Sequence, residues 1–173
     1  AGAGAVVIDN TSYFRYDEDV PLVVPECNAS RIAEYSNRGI IANPNCSTIQ
    51  LVVALKPIHD AAGIERVNVA TYQAMSGAGR SSTEVLTEGT REILAGREPA
   101  NAGSEKTVAF NAVPKIGSLT DTGYTLEEMK MVWETRKILE DPDIMVNPTC
   151  ARIPVYYGHS EAVHIETRTK VTV

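Results

Sequence analysis

Cysteine is scarce in this chain and irregularly placed, with three residues at 27, 46 and 150. An odd number at those spacings excludes a disulfide framework and a zinc knuckle, and it points to a reducing compartment. Basic runs are missing as well. The chain carries 16 Lys and Arg against 22 Asp and Glu, a formal net charge of −6, so nucleic acid is not the expected main partner. No apolar stretch approaches a membrane span, and the opening residues do not look like a signal peptide. The cytoplasm is therefore the expected location. No His, Cys and carboxylate cluster has metal-ligand spacing, so no metal is expected. Internal repeats, low-complexity tracts and the nucleophile-elbow pattern are also lacking.

What is present is enough for a core: 173 residues, 43% of them hydrophobic, which is one domain or one and part of a second. The chain opens on Ala1, runs almost at once into the strand-like Ala5 to Asp9, and ends inside another strand-like run at Val173. The expectation is a piece of a longer protein.

The stretch that organises the rest is Asn43-Pro44-Asn45-Cys46-Ser47-Thr48-Ile49-Gln50. A polar, proline-bearing loop leads into Ile49, Val52, Val53, Leu55 and Ile58, the spacing of an amphipathic helix. Cys46 then lies at or next to the helix N-terminus, where unpaired N–H groups and the dipole favour negative charge. A thiol there is more acidic and hence more reactive. The other reading is a small cysteine packed beside a helix start.

Around this stretch the periodicity alternates between strand and helix. The glycines of Ala1-Gly2-Ala3-Gly4 precede the strand Val6-Val7-Ile8, whereas a phosphate-binding loop would follow one. That strand reads as covered on both faces. Arg15, in the loop beyond, can clamp an anion or simply be solvated. Leu22-Val23-Val24 reads as a short strand, Asn28 as the cap of a helix from Ala29 to about Tyr35, and Gly39 to Ala42 as the next strand. Gly63 ends the Cys46 helix, and Arg66 to Tyr72 alternates as a strand with Gln73 at its end, before the small-residue turn Ser76-Gly77-Ala78-Gly79.

A helix is expected from Ser82 or Thr83 to Ala95, then a surface connection over 96–106 and an ambiguous stretch, Phe110 to Ile116. Thr125 and Glu128 match a capping box that opens a helix to about Leu139, with Glu127 and Lys130 on one face. Strands are expected at 144–150, 153–157 and 162–173. His159 sits in a loop setting, His164 on a polar strand face, and His59, late in a helix, reads as solvated.

The motifs Val6 to Arg15, Val20 to Glu26, Asn43 to Thr48, Thr71 to Gly79, Glu127-Glu128-Met129-Lys130 and Arg152-Ile153-Pro154 with His159 occur in the order that resembles aspartate-semialdehyde dehydrogenase. The resemblance covers nearly the whole chain. It implies an α/β (α+β) fold, a mixed β-sheet with helices on one face. Residues 1–46 would be the end of a nucleotide-binding domain, and residues 47–173 an incomplete catalytic and dimerisation domain. It implies NADP-dependent reductive dephosphorylation of L-aspartyl 4-phosphate to L-aspartate 4-semialdehyde, in lysine, threonine and methionine biosynthesis, by a homodimer or higher homo-oligomer. Cys46 would be the nucleophile, Gln73 the amide that orients the acyl group, and His159 the acid/base. Arg152 would hold the substrate carboxylate, Glu127 its amino group, and Lys130 with Arg15 the phosphate. Asn45 is a further phosphate or oxyanion contact, and Ser76 and Gly77 would lie near the nicotinamide. The family's glycine-rich dinucleotide loop is absent, so the chain alone is expected to be inactive.

Three other readings stay open. One is another cysteine acyl-phosphate reductase, one a Cys-His hydrolase or transferase, and one a non-catalytic dimerisation module.

Overall fold

The structure is a computed structural model and describes residues 4–100 and 106–172. The first three residues of the glycine-rich opening, residues 101–105 of the expected connection, and Val173 lie outside these. The chain divides into two compact units. One comprises Ala1–Asn68, Lys130–Asn147 and His164–Val173; the other comprises Val69–Met129 and Pro148–Val163.

In the first unit, β1 (Val7–Asp9) pairs in parallel with β2 (Ile40–Ala42), with Val7 opposite Ile40. Val6, Val7 and Ile8 are 49%, 41% and 71% exposed, so the expected cover on both faces is not found among the described residues. The strand expected at 22–24 is a single parallel bridge, Leu22 to Ala42. The reason is Asn28. Its Oδ1 accepts the Val24 N–H at 2.9 Å and its Nδ2 donates to the Leu22 carbonyl at 2.9 Å, satisfying groups that a longer ladder would use. The same contacts turn that side chain away from capping. A short helix α1 (Pro25–Asn28) and a 3-10 segment, Ala29–Asn37, stand in place of the expected helix.

Helix α2 spans Cys46–Ala62 and ends at Gly63, whose φ of +62° suits a residue without a Cβ. Its buried side is Ser47, Thr48, Leu51, Val52, Leu55 and Ala62, whereas Val53 is 40% exposed. His59 is not solvated. Its side chain is 14% exposed. Its Nδ1 accepts the Ile64 N–H at 3.1 Å, so it caps the turn leaving the helix.

Strands β3 (Ile64–Gln73), β4 (Met145–Arg152) and β5 (Ser160–Thr167) form a sheet in the order β4-β3-β5. These three strands and helix α4 (Leu126–Leu139) contribute residues to both units. Alternation on β3 buries Val67, Val69, Thr71 and Gln73. The architecture is the expected mixed α/β one.

In the second unit, α3 (Arg80–Leu94) comes after a 3-10 turn, Met75–Ala78. The capping box forms as expected. The Thr125 N–H donates to Glu128 Oε2 at 2.7 Å, and the Glu128 N–H donates to Thr125 Oγ1 at 3.3 Å. Of the ambiguous stretch 110–116, only Val113 pairs, with Arg152. Residues 153–157 are a loop and not a strand. Pro154 lacks a donor, and the chain turns at Gly158, with φ +81°. Isolated bonds still tie the loop down: the Met75 N–H reaches the Val155 carbonyl at 2.8 Å and the Ser76 N–H the Tyr156 carbonyl at 3.0 Å.

Candidate active site

Cys46 is the first residue of α2 and is exposed. Asn45 precedes it in extended conformation, and its Oδ1 accepts the Ser47 N–H at 3.0 Å and the Thr48 N–H at 3.4 Å. This is an N-cap that stops the helix with the thiol at its positive end. The other cysteines differ. Burial raises the Cys27 thiol, an effect that Lys56 partly offsets. Burial pushes Cys150 up to about 12, with Thr71 acting against it. A thiol that stays protonated is a poor nucleophile.

The same unit holds Arg15, which the sequence places in a loop and the structure buries. Its Nη1 donates to Glu134 Oε1 at 3.1 Å and its Nη2 to the Asn10 carbonyl at 3.0 Å. Arg15 thus spends part of its fork inside the protein. Lys130 is half-buried on α4.

The second unit gathers Gln73, Glu127, Arg152, His159 and Gly77. Gln73, 1% exposed, ends β3, and its Nε2 donates to Thr71 Oγ1 at 3.2 Å and to Glu127 Oε1 at 3.3 Å. Arg152 Nη1 donates to the Ala74 carbonyl at 2.7 Å, and the Ala74 N–H donates to His159 Nδ1 at 3.0 Å. One peptide segment therefore orients both side chains. Because Nδ1 accepts, the neutral ring carries its proton on Nε2. Burial first, and the Arg152 charge second, hold His159 below its usual 6.5, against an opposing pull from Glu127. The imidazole is neutral at pH 7.

Gly77 lies against this pair. A Cβ there would sit 3.0 Å from His159 Cε1, 3.1 Å from Nε2 and 3.5 Å from Arg152 Nη1. Ser76 beside it is half-buried. Thr71 and the Ala74 backbone belong to the cluster without any sequence signal of their own. Glu134 had one. It falls on the buried stripe of α4 with Met131, Thr135 and Ile138, a carboxylate where an apolar residue belongs.

The first unit thus holds a cysteine at a capped helix start, and the second a strand-end amide with an oriented histidine and arginine. Two family models match the chain: semialdehyde dehydrogenase, dimerisation domain, over residues 55–173, and semialdehyde dehydrogenase, NAD binding domain, over residues 1–35. The chain belongs to the semialdehyde dehydrogenase family.

Its relatives are more particular. Aspartate-semialdehyde dehydrogenase of Vibrio mimicus is 61% identical over 99% of this chain and 54% of its own length. That of Bacillus subtilis is 52% identical over 94% of this chain and 49% of its own. The chain thus spans about half the length of the curated relatives it matches. Among solved structures, aspartate semialdehyde dehydrogenase II of Vibrio cholerae complexed with ASA matches with a TM-score of 0.96 and 60% identity, over 98% of this chain and 51% of that one. The Candida albicans enzyme with NADP matches with a TM-score of 0.69 and 28% identity, over 99% of this chain and 46% of that one.

Proposed function

We propose that this chain carries the reaction-centre residues of an NADP-dependent aspartate-semialdehyde dehydrogenase, which reduces L-aspartyl 4-phosphate to L-aspartate 4-semialdehyde and phosphate. The carrying observation is an exposed cysteine as the first residue of a capped helix. The relatives' names support the substrate, and the NAD-binding match with the NADP-bound neighbour supports the cofactor.

In this reading the Cys46 thiolate attacks the acyl carbon. A C–S bond forms, the C–O bond to phosphate breaks, and the phosphate leaves with the electron pair. Arg15 and Lys130 hold that phosphate, with Asn45 as a further contact. Arg152 holds the α-carboxylate through its planar fork, and Glu127 holds the amino group. Gln73 is the amide that orients the acyl group. The chemistry that a bound NADPH would supply is a hydride for the thioester carbon. His159 hydrogen-bonds the resulting oxyanion through its Nε2–H, the tautomer that the Ala74 N–H on Nδ1 supports, and keeps that proton as the oxyanion collapses. Collapse then returns the electron pair to sulfur and frees the aldehyde.

The nicotinamide end of the cofactor suits Ser76 and Gly77. Gly77, Ala78 and Gly79 are exposed and small, and among the described residues nothing lies within 4 Å of a Cβ built on Gly79. Residues 1–46 would close the nucleotide-binding part and residues 47–173 carry catalysis and dimerisation. The dimerisation-domain match supports a homodimer.

Incubating the chain with an acyl phosphate such as acetyl phosphate, then mapping the peptides by mass, tests the reading. The expected result is a thioester on Cys46 alone. Acylation spread equally over Cys27 and Cys150, or none at Cys46, overturns it.

A further inference from the structure

Glu134 is buried completely, with a side-chain exposure of 0%, yet the proposed reaction gives it no task. Within the first unit it makes three bonds of different kinds. Oε1 accepts from Arg15 Nη1 at 3.1 Å and from the Tyr16 hydroxyl at 3.2 Å. Oε2 accepts the Asn45 main-chain N–H at 2.6 Å. One carboxylate therefore joins the loop bearing Arg15 to the residue that caps the Cys46 helix. One turn further along α4, Lys137 reinforces the same loop. Its Nζ donates to the carbonyls of Arg15 at 2.9 Å, Asp17 at 2.8 Å and Val20 at 3.2 Å.

A buried carboxylate is costly unless its charge and lone pairs are met. A stripe position on α4 would take leucine or methionine at lower cost if packing were its only role. A short bond from Asn45 N–H fixes where the helix begins, and so where the Cys46 sulfur stands. The bond to Arg15 fixes the guanidinium relative to that sulfur. We propose that Glu134 is a positioning residue that holds the anion-binding Arg15 and the Asn45–Cys46 helix start in one register, with Lys137 anchoring the loop. This rests on the reading of Arg15 as a phosphate ligand and of Cys46 as the nucleophile.

Charge alone predicts the opposite effect from positioning, and this makes the idea testable. Removing a carboxylate from beside Arg15 leaves a more positive site, so simple electrostatics predicts tighter phosphate binding in Glu134→Gln. Positioning predicts weaker binding.

The experiment measures how inorganic phosphate slows iodoacetamide alkylation of Cys46, read by peptide mapping in the full chain, for wild type and Glu134→Gln. Thermal midpoints are recorded in parallel. Wild type must first show phosphate protection of Cys46; failure there removes the functional reading itself. Given that protection, the expected result for Glu134→Gln is a phosphate midpoint at least fivefold higher. A purely structural role would lower the thermal midpoint and leave the phosphate midpoint of the folded protein in place. An unchanged or lower phosphate midpoint overturns the proposal. Should Glu134→Gln fail to fold, Tyr16→Phe removes one of the three bonds and leaves the ion pair. It should raise the midpoint about twofold, and no change overturns the proposal equally.

Discussion

Replacing Gly77 by alanine isolates one contact in the second unit. Gly77 does not have a positive φ, so alanine meets no backbone strain there. The conflict lies with its neighbours. A Cβ 3.0 Å from His159 Cε1 and 3.1 Å from Nε2 is well inside ordinary contact, which starts at 3.4 Å. The ring must retreat by about 0.4 Å to restore van der Waals separation. That retreat stretches the 3.0 Å bond from Ala74 N–H to Nδ1 beyond good geometry, a loss of about 0.5–1.5 kcal/mol. Gly→Ala in a 3-10 turn returns roughly 0.5–1 kcal/mol of backbone entropy. The two nearly offset, so stability is a poor readout and the imidazole is a good one.

With Nδ1 loosened from its donor and the ring moved away from its burial site, His159 should titrate closer to its ordinary 6.5 than in wild type. The chain has three histidines, at 59, 159 and 164, so ring Cε1–H resonances tracked by NMR against pH can be assigned with single substitutions. An unchanged His159 titration in a folded Gly77→Ala chain would refute the reasoning. In an active full-length enzyme a ring misplaced on this scale should lower turnover by up to about 100-fold.

The depressed His159 value also sets a pH dependence of folding. The unfolded chain takes up this proton near 6.5, and the folded chain only at lower pH. Between those two values the unfolded state binds more protons, so stability falls as pH drops through 6.5 and levels off below the folded value. The urea midpoints of wild type and His159→Gln should keep a constant offset above pH 6.5. Below it, wild type should lose stability relative to the variant; parallel curves throughout would count against the assigned burial. Thr125→Ala removes the hydroxyl half of the capping box on α4 and should destabilise by about 1 kcal/mol. An unchanged urea midpoint would show that the cap contributes nothing.

The sequence by itself determined the local events. Short-range rules place the start of α2 at Cys46, its stop at Gly63, the capping box at Thr125 and Glu128, and the alternation of β3, because each depends on neighbours within about four residues. Propensity failed where a side chain turned to backbone groups four to six residues away, or where cover depended on other elements. Asn28 turned back to satisfy Leu22 and Val24, His59 closed a helix end, and Val6 to Ile8 found no covering layer among the described residues. Only tertiary structure could set Glu134 against Arg15, Tyr16 and Asn45, or bring Ala74 to both His159 and Arg152. Those partners lie 119, 118 and 89 residues apart in the first case and 85 and 78 in the second. A buried charge takes its meaning from whatever the fold puts beside it, and periodicity carries no record of that neighbour.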